Sequence, residues 1–209
     1  MKTILFQGDS ITDCARGREG DTFLGCGYAA LIAADLGFKY PGEYKFVNRG
    51  VSGDRCRGVL SRMRQDIVDV NPDIISILVG INDVWKEFAE PGGVNGEVYE
   101  KIYDILIEEL KLKFPKSEII IVEPFTDRTC MPDDERWQMF KKGYDIVREK
   151  TNFVAAKNNI TFVPIMDEMT KMIEKYGSGC FLLDGTHPSQ TGHRLIANAW
   201  IKAFEEHIR

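Results

Sequence analysis

Long apolar runs and basic clusters are both missing from this chain. No apolar stretch reaches the roughly 18 residues of a membrane-spanning helix, and the one at the amino terminus is too short for the core of a secretion signal. No Lys/Arg cluster is longer than two residues and the net charge is −5, so a surface for polyanions is not expected. These absences predict a cytoplasmic protein with neither a membrane nor a nucleic-acid partner.

Cysteine is scarce, and its spacing is irregular. The five cysteines lie at positions 14, 26, 56, 130 and 180, with no Cys-x-x-Cys pair among them. Such an odd, scattered set predicts free thiols in a reducing compartment rather than a disulfide framework or a zinc cluster. Because histidine and cysteine do not cluster either, no metal site is predicted.

Signatures of nucleotide binding are missing or out of context. No G-x-x-x-x-G-K-[S/T] segment occurs, and the G-x-S-x-G elbow of the α/β-hydrolase fold is also absent. The run from Gly25 to Ala30 matches G-x-G-x-x-A, but it does not follow a predicted strand, as a dinucleotide site requires. No cofactor is therefore expected.

What the chain does contain is an alternation of short apolar segments with longer segments of helical period. The predicted strands are Thr3–Gln7, Tyr44–Asn48, Ile74–Val79, Ile119–Val122 and Thr161–Val163. The predicted helices lie near residues 27–37, 56–70, 96–113, 135–158 and 190–206. This order predicts an α/β fold in one domain, 1–209, with a five-stranded parallel sheet between two layers of helices. Ligands of such sheets bind outside the carboxyl ends of the strands.

The first candidate for chemistry is Ser10, in the segment Gly8-Asp9-Ser10 directly after the first predicted strand. A serine hydroxyl is a useful nucleophile when a base takes its proton and a tight turn presents it away from the core. The same tripeptide also suits a plain helix start, in which Asp9 or Ser10 caps the helix. The tripeptide alone leaves both interpretations open.

The second candidate is His187, in the segment Asp184-Gly-Thr-His187 ahead of the last predicted helix. A neutral imidazole can act as a base, and a nearby carboxylate can fix its tautomer. The three-residue separation lets Asp184 reach one ring nitrogen and leaves the other for a nucleophile. His193 and His207 lie within and near the end of the last predicted helix, which favours a packing or surface role for both.

The third and fourth candidates also follow predicted strands. Asn82, in Gly80-Ile-Asn-Asp, has a side-chain amide that can donate to a developing oxyanion. Gly53, in the segment NRGVSGD, can offer a backbone N–H for the same purpose. Each segment is rich in turn-forming residues, so each alone can also be a simple turn.

Taken together, the four segments can converge at one edge of the sheet. They resemble the ordered sequence blocks of the SGNH, or GDSL-type, hydrolases: GDS with Ser10, NRGVSGD with Gly53, GIND with Asn82, and DGTHP with Asp184 and His187. The resemblance spans residues 8–188 and departs at Ile11, where many members have leucine. It implies a flavodoxin-like three-layer α/β/α fold and hydrolysis of esters through an acyl-enzyme.

The resemblance also implies a role for each residue. Ser10 attacks the carbonyl carbon, His187 moves the proton and Asp184 orients His187. The oxyanion hole consists of the Ser10 and Gly53 backbone N–H groups with the Asn82 side chain.

Within the family, the segments GDSITDC, NRGVSGD and GINDVW look most like bacterial carbohydrate esterases that remove acetyl groups from xylan fragments. Candidate substrate contacts are Asp9 and three aromatic residues, Trp85, Phe125 and Trp137, whose rings can line a sugar or acyl site. Trp85 can equally be a core residue.

Several alternatives remain open from the sequence. Asp13 can be a helix cap, and the role of Asp54 is undecided. A lysophospholipase or thioesterase acting on longer acyl chains is the nearest rival function, and an inactive binding module is a more distant one. The expected partner is a small acyl ester, an acetylated sugar, and homo-oligomer formation is left open.

Overall fold

The five expected strands form one parallel sheet. The structure, a computed structural model, describes residues 1–209. The strands are β1 Lys2–Gly8, β2 Tyr44–Asn48, β3 Ile74–Leu78, β4 Glu118–Val122 and β5 Thr161–Val163. Their order across the sheet is β2-β1-β3-β4-β5, and every pair is parallel. This order belongs to the flavodoxin-like doubly wound sheets, so the predicted fold class is confirmed.

Eight α-helices connect the strands. They are α1 Ser10–Asp13, α2 Tyr28–Lys39, α3 Cys56–Met63, α4 Ile81–Glu87, α5 Gly96–Lys113, α6 Asp134–Lys157, α7 Met166–Tyr176 and α8 Gln190–His207. A π-helical turn, Arg64–Val68, continues α3, and short 3-10 turns occur at Arg128–Cys130 and Ser178–Cys180. The five predicted helices correspond to α2, α3 with its π-turn, α5, α6 and α8.

Three helices were not expected from the sequence. Helix α1 has four residues and α4 has seven, too few for a helical period to stand out. Helix α7 does carry the signal, because Met166, Met169, Met172 and Ile173 recur at helical spacing. Its apolar stripe was therefore a missed indication.

The helices form one layer on each face of the sheet. On one face, α2 packs against α8. On the other, α5 packs against both α3 and α6, and α4 packs against α6. Parallel sheets covered in this way need strands that are apolar on both sides, which is why β3 has the sequence IISIL and no exposed residue.

Side-chain caps begin four of the helices and set where they start. Asp9 accepts from the Ile11 N–H at α1, and Asn95 accepts from the Val98 N–H at α5. Asp133 caps α6, whose first turn contains Asp134 and Glu135. Ser189 caps α8 through its side-chain oxygen, which accepts from the Gly192 N–H.

One buried hydrogen bond joins the sheet to the α8 layer. Ser76, in the middle of β3, and Trp200, in α8, are both fully buried, and the indole Nε1–H donates to the Ser76 Oγ over 2.9 Å. The indole ring also packs on Phe6 of β1, with 5.7 Å between ring centroids. The serine is thus the polar partner that allows a tryptophan to lie against the centre of the sheet.

None of the helices is both long and apolar enough to cross a membrane.

Substitution of Ser76 by alanine tests this hydrogen bond. Ser76→Ala leaves the indole N–H buried without an acceptor, so the free energy of unfolding is expected to fall by about 1–3 kcal/mol. Urea denaturation measures the change. Ser61→Ala is the matched control, because Ser61 is exposed on α3 and bonds only its own helix; a shift within about 0.5 kcal/mol is expected there. Equal effects of the two substitutions would contradict the interpretation.

Candidate active site

Ser10 lies at the carboxyl end of β1, at the point where the strand turns sharply into α1. Asp9 is the N-cap and Ser10 the first helical residue. Gly8 is required at this turn, because a Cβ atom there would collide with the Leu78 carbonyl oxygen and the Thr12 hydroxyl. The turn therefore brings the Ser10 side chain out of the core at the sheet edge that the fold reserves for ligands.

Ser10, His187 and Asp184 form a continuous hydrogen-bonded chain. The Ser10 Oγ lies 2.9 Å from the His187 Nε2, and the His187 Nδ1 lies 2.7 Å from the Asp184 Oδ2. A carboxylate can only accept at Nδ1, so that nitrogen carries the proton and Nε2 is free to accept from the serine. The arrangement can draw a proton from the hydroxyl and hold it on the ring.

The Asp184 carboxylate is held in its ionised form by donors on its own loop. Its Oδ1 accepts from the His187 N–H over 2.7 Å and from the Thr186 N–H over 2.9 Å. Partial burial opposes ionisation, but these two N–H groups and the imidazole ring together lower the pKa of Asp184 below its ordinary value. The carboxylate is therefore charged and correctly oriented whenever the ring takes up a proton.

The loop that contains these two residues is fastened to the loop after β4. The Gly185 carbonyl oxygen accepts from the Asp127 N–H over 2.7 Å and from the Thr126 hydroxyl over 3.1 Å. Gly185 has φ +81°, and a Cβ there would strike the Cys130 backbone, so only glycine suits this close contact. These contacts hold the loop so that the His187 imidazole faces Ser10 at the edge of the sheet.

Gly53 and Asn82 are the two oxyanion candidates that lie outside the Ser10 turn. Asn82 is the second residue of α4, which begins directly after β3, and Gly53 has a left-handed backbone, φ +80°. The Asn82 Nδ2 donates to the Asp54 carbonyl oxygen over 3.0 Å, which ties the amide to the residue next to Gly53. One of the two amide hydrogens is used in this bond, and the other is left for an additional acceptor.

Asp13, whose role was open from the sequence, links the Ser10 turn to the Gly53 segment. It is the last residue of α1, and its Oδ2 accepts from the Ser52 N–H over 3.1 Å. The same oxygen pairs with Arg18 at 2.6 Å; the carboxylate is 6% exposed and the guanidinium 56%. Asp13 is therefore not a helix-start cap but a tether that holds the Gly53 segment beside the nucleophile turn.

Asp9 was a candidate substrate contact, and the structure corrects that expectation. The residue has no exposed surface, and one carboxylate oxygen has no hydrogen-bond partner. Burial raises the pKa of Asp9 to about 7, with further contributions from Asp83 and Asp54, while the Ile11 N–H and His187 act in the opposite sense. Asp9 caps the helix rather than meeting a ligand.

The three aromatic candidates are divided by their burial. Phe125 has no exposed surface and belongs to the core, so its proposed place in a substrate wall is wrong. Trp85 and Trp137 are half-buried and both pack on Phe140, with centroid distances of 4.6 and 6.1 Å. The part of both indoles in a substrate site stays a prediction.

His193 and His207 lie on α8, and neither is hydrogen-bonded to Ser10 or Asp184. His193 is buried, and its Nδ1 accepts from the Tyr28 N–H over 3.1 Å. Burial, followed by the effect of His187, lowers the pKa of His193 to about 4, so the ring is neutral near pH 7. Only His187 is presented to the serine, as its loop context predicted.

The candidate site is open to solvent. The His187 side chain is 45% exposed and that of Asp184 is 57% exposed. A cavity of about 700 Å³ lies elsewhere, between α7 and α8, and is lined by residues such as Phe162, Met172 and Leu195. None of the candidate site residues lines this cavity, so we do not assign the reaction to it despite its size.

The chain is similar to a known protein family and to a known esterase over most of its length. A sequence model of the GDSL-like lipase/acylhydrolase family matches residues 6–195. An acetylxylan esterase of Geobacillus stearothermophilus is 32% identical over 206 residues, which cover 95% of this chain and 92% of that protein.

Solved structures agree with the sequence relatives. A GDSL-like lipase from Parabacteroides merdae superposes with a TM-score of 0.89 at 32% identity, over 98% of this chain and 95% of the other. The acetylxylan esterase from Geobacillus stearothermophilus superposes with a TM-score of 0.80 at 30% identity, over 97% and 93% of the two chains. Catalytic mutants of that esterase that replace a serine and an aspartate by alanine have also been solved.

The unusual pKa of Asp9 makes a prediction about stability and pH. With a folded pKa near 7 and an ordinary unfolded pKa near 4, the unfolded chain binds fewer protons in that window, so stability falls as the pH rises from about 4 to 7. Asp9→Asn keeps an N-cap oxygen but has no proton to lose. The difference in Tm between this variant and the unaltered protein is expected to grow in favour of asparagine between pH 5 and pH 8.

Thermal unfolding across that pH range measures the difference. Asp69→Asn is the control, because Asp69 is exposed and is in no ion pair; its Tm difference is expected to be independent of pH. A pH-independent difference for Asp9→Asn would contradict the burial of a proton there.

The tether at Asp13 makes a second prediction. Asp13→Ala frees the Ser52 N–H and loosens the Gly53 segment, so kcat for ester hydrolysis is expected to fall about tenfold with KM nearly unchanged. Arg18→Ala removes only the exposed half of the ion pair and is expected to change kcat less than twofold. Steady-state kinetics on both variants measure the two effects, and a larger loss in Arg18→Ala than in Asp13→Ala would reject the tether.

Proposed function

Since the chain belongs to the GDSL-like lipase/acylhydrolase family and is a carboxylic ester hydrolase, we propose that it removes acetyl groups from carbohydrates, such as acetylated xylo-oligosaccharides, through an acyl-enzyme on Ser10. The observation that carries the proposal is the hydrogen-bonded chain from the Ser10 Oγ through His187 to Asp184, at 2.9 and 2.7 Å. In this arrangement the Ser10 hydroxyl can donate to the His187 Nε2 while the Asp184 carboxylate accepts from the Nδ1–H.

In the first half of the reaction, the Ser10 Oγ attacks the ester carbonyl carbon while the His187 Nε2 takes the hydroxyl proton. The charge of the resulting imidazolium is balanced by Asp184, whose low pKa keeps it ionised. The oxyanion is bound by the Ser10 and Gly53 backbone N–H groups and the free Asn82 amide hydrogen. His187 then passes its proton to the departing sugar oxygen, and an acyl-enzyme remains.

In the second half, water replaces the alcohol. His187 takes a proton from the water as it attacks the acyl carbon, and the same oxyanion donors stabilise the second tetrahedral intermediate. Collapse returns the proton to the Ser10 Oγ and releases the acid. The two half-reactions balance with the ester, one water molecule and the side chains and N–H groups named above.

Two observations favour a short acyl group on a bulky alcohol. The triad is exposed, so a large sugar can approach it without entering a closed channel. The cavity of about 700 Å³ that could enclose a long acyl chain is not lined by Ser10, Asp184 or His187. The names of two relatives, acetylxylan esterase and acetyl-xylooligosaccharide esterase, also combine a short acyl group with a sugar.

The substrate assignment is tested by a panel of esters. Acetylated xylo-oligosaccharides and nitrophenyl acetate are expected to be hydrolysed at least tenfold faster, in kcat/KM, than nitrophenyl esters of about ten carbons or more. A preference for the long-chain esters would reject the proposal and favour a lysophospholipase or thioesterase function. If nitrophenyl acetate were hydrolysed fast but no acetate were released from the sugars, the esterase activity would stand and the carbohydrate substrate would be rejected.

Ser10→Ala is the control for every substrate in the panel. It removes the nucleophile, so hydrolysis is expected to fall by about 10⁴-fold or more, with an unchanged Tm. The matched surface variant is Ser61→Ala, which keeps full activity. Hydrolysis that persists in Ser10→Ala would mean that another residue is the nucleophile.

A further inference from the structure

Two thiols meet at the base of the loop formed by residues 15–25. Cys14 ends helix α1 with a left-handed backbone, φ +36°, and Cys26 lies just before α2. Their Sγ atoms are 3.5 Å apart. The Cys26 N–H also donates to the Cys14 carbonyl oxygen over 2.9 Å. The two cysteines are 12 positions apart in the chain, and the fold brings them together at the two ends of the loop.

The backbone at this point is already suited to a disulfide. A direct main-chain hydrogen bond keeps the two residues adjacent, as a disulfide requires of residues whose Cα atoms must lie within about 7 Å of each other. The sulfur atoms need to approach from 3.5 Å to a bonding distance of about 2 Å. Side-chain rotation alone can supply a movement of that size, so the main chain does not have to shift.

His193 holds the Cys14 sulfur in this position. Because the His193 Nδ1 accepts from the Tyr28 N–H, the ring proton of the neutral imidazole is on Nε2. That nitrogen lies 3.4 Å from the Cys14 Sγ. The N–H therefore points to the sulfur and helps to hold it beside Cys26.

The other three cysteines have no hydrogen-bonded partner thiol. Cys56 is buried, Cys130 accepts from the Thr126 hydroxyl, and Cys180 donates to the Tyr176 carbonyl oxygen over 3.2 Å. Cys180 is exposed like Cys26, so it has the same access to small reagents but no partner thiol. It is the natural control within the chain.

We propose that Cys14 and Cys26 are an oxidisable dithiol, which closes into a disulfide and clasps the base of the 15–25 loop. The oxidant class is a low-molecular-weight disulfide such as oxidised glutathione. The bond is a clasp rather than an inhibitory switch, because it joins residues that already touch and leaves the Ser10 turn where it is.

The chemistry runs in two exchanges. The exposed Cys26 thiolate attacks the oxidant, forms a mixed disulfide and releases one glutathione thiolate. The Cys14 thiolate then attacks the Cys26 sulfur, forms the internal bond and releases the second glutathione. Two protein thiols are oxidised, one disulfide of the oxidant is reduced to two thiols, and the protons of the protein thiols pass to the two released thiolates.

The order of the two exchanges follows from the environments. Burial and the adjacent Cys26 thiol raise the pKa of Cys14 to about 11, so Cys14 is a poor first nucleophile. As the second nucleophile it needs no encounter, because its target sulfur is already beside it.

The clasped loop is part of the surroundings of the candidate site. Arg16 of this loop donates to the Gly50 carbonyl oxygen over 2.7 Å, and Arg18 pairs with Asp13. Asp21 pairs with Arg49 on the same neighbouring segment. Closing the base of the loop restricts the unfolded chain and leaves these contacts in place, so the oxidised protein is expected to be more stable.

The test equilibrates the reduced, full-length protein with an excess of oxidised glutathione. The expected result is the loss of two of the five thiols to an internal bond, which peptide mapping assigns to Cys14 and Cys26. Tm is expected to rise by about 5 °C or more, and hydrolysis of nitrophenyl acetate to stay within twofold. Dithiothreitol is expected to reverse both the bond and the Tm change.

Two variants make the test specific. Cys26→Ser is expected to form no internal bond and to show no rise in Tm, whereas Cys180→Ser is expected to behave like the unaltered protein. Retention of Cys14 and Cys26 as free or singly glutathionylated thiols at equilibrium would overturn the dithiol. If the bond between these cysteines formed but left Tm unchanged, the clasp would be overturned. The clasp would also be overturned if oxidation reduced hydrolysis tenfold in the unaltered protein but not in Cys26→Ser. None of these outcomes depends on which ester is the natural substrate.

Discussion

The hydrogen bond between the Ser10 Oγ and the His187 Nε2 is the contact on which the rest of the site depends. It joins residues 177 positions apart in the chain. Ser10 is fixed by the end of β1, near the middle of the sheet, while His187 belongs to the loop before α8. A contact of 2.9 Å between such distant residues requires that the whole sheet and the α8 layer be assembled correctly, which makes catalytic geometry a consequence of global packing.

The architecture explains why the site lies at this edge. The chain reverses its winding direction between β1 and β3, so the loops that follow these two strands diverge and leave a crevice. Ser10 follows β1 and Asn82 follows β3, one on each strand beside the crevice. The Asp184–His187 loop reaches the same edge because the loop after β4 fastens Gly185 there.

Carboxylates surround the site, and the structure stabilises each of them differently. Asp184 is ionised because N–H groups of its own loop point at it, and Asp13 is paired with Arg18. Asp9 and Asp83 are buried and form no ion pair, and burial raises the pKa of each to about 7. The same edge thus holds one carboxylate whose pKa is lowered, beside the imidazole that must become positive, and two buried carboxyl groups whose pKa is raised, beside the tightly packed Ser10 turn.

Much of this protein was determined by local sequence. Apolar segments of three to six residues predict the five strands and helical periods predict the long helices, because these signals act over a few residues. The order of GDS, NRGVSGD, GIND and DGTHP predicts which side chains meet. Only the tertiary structure decided that Asp9 and Phe125 are buried, that Asp13 tethers the Ser52 backbone, and that Cys14 faces Cys26. Burial and contact at these positions depend on segments that are remote in the chain, and no local pattern reports how closely two remote segments pack.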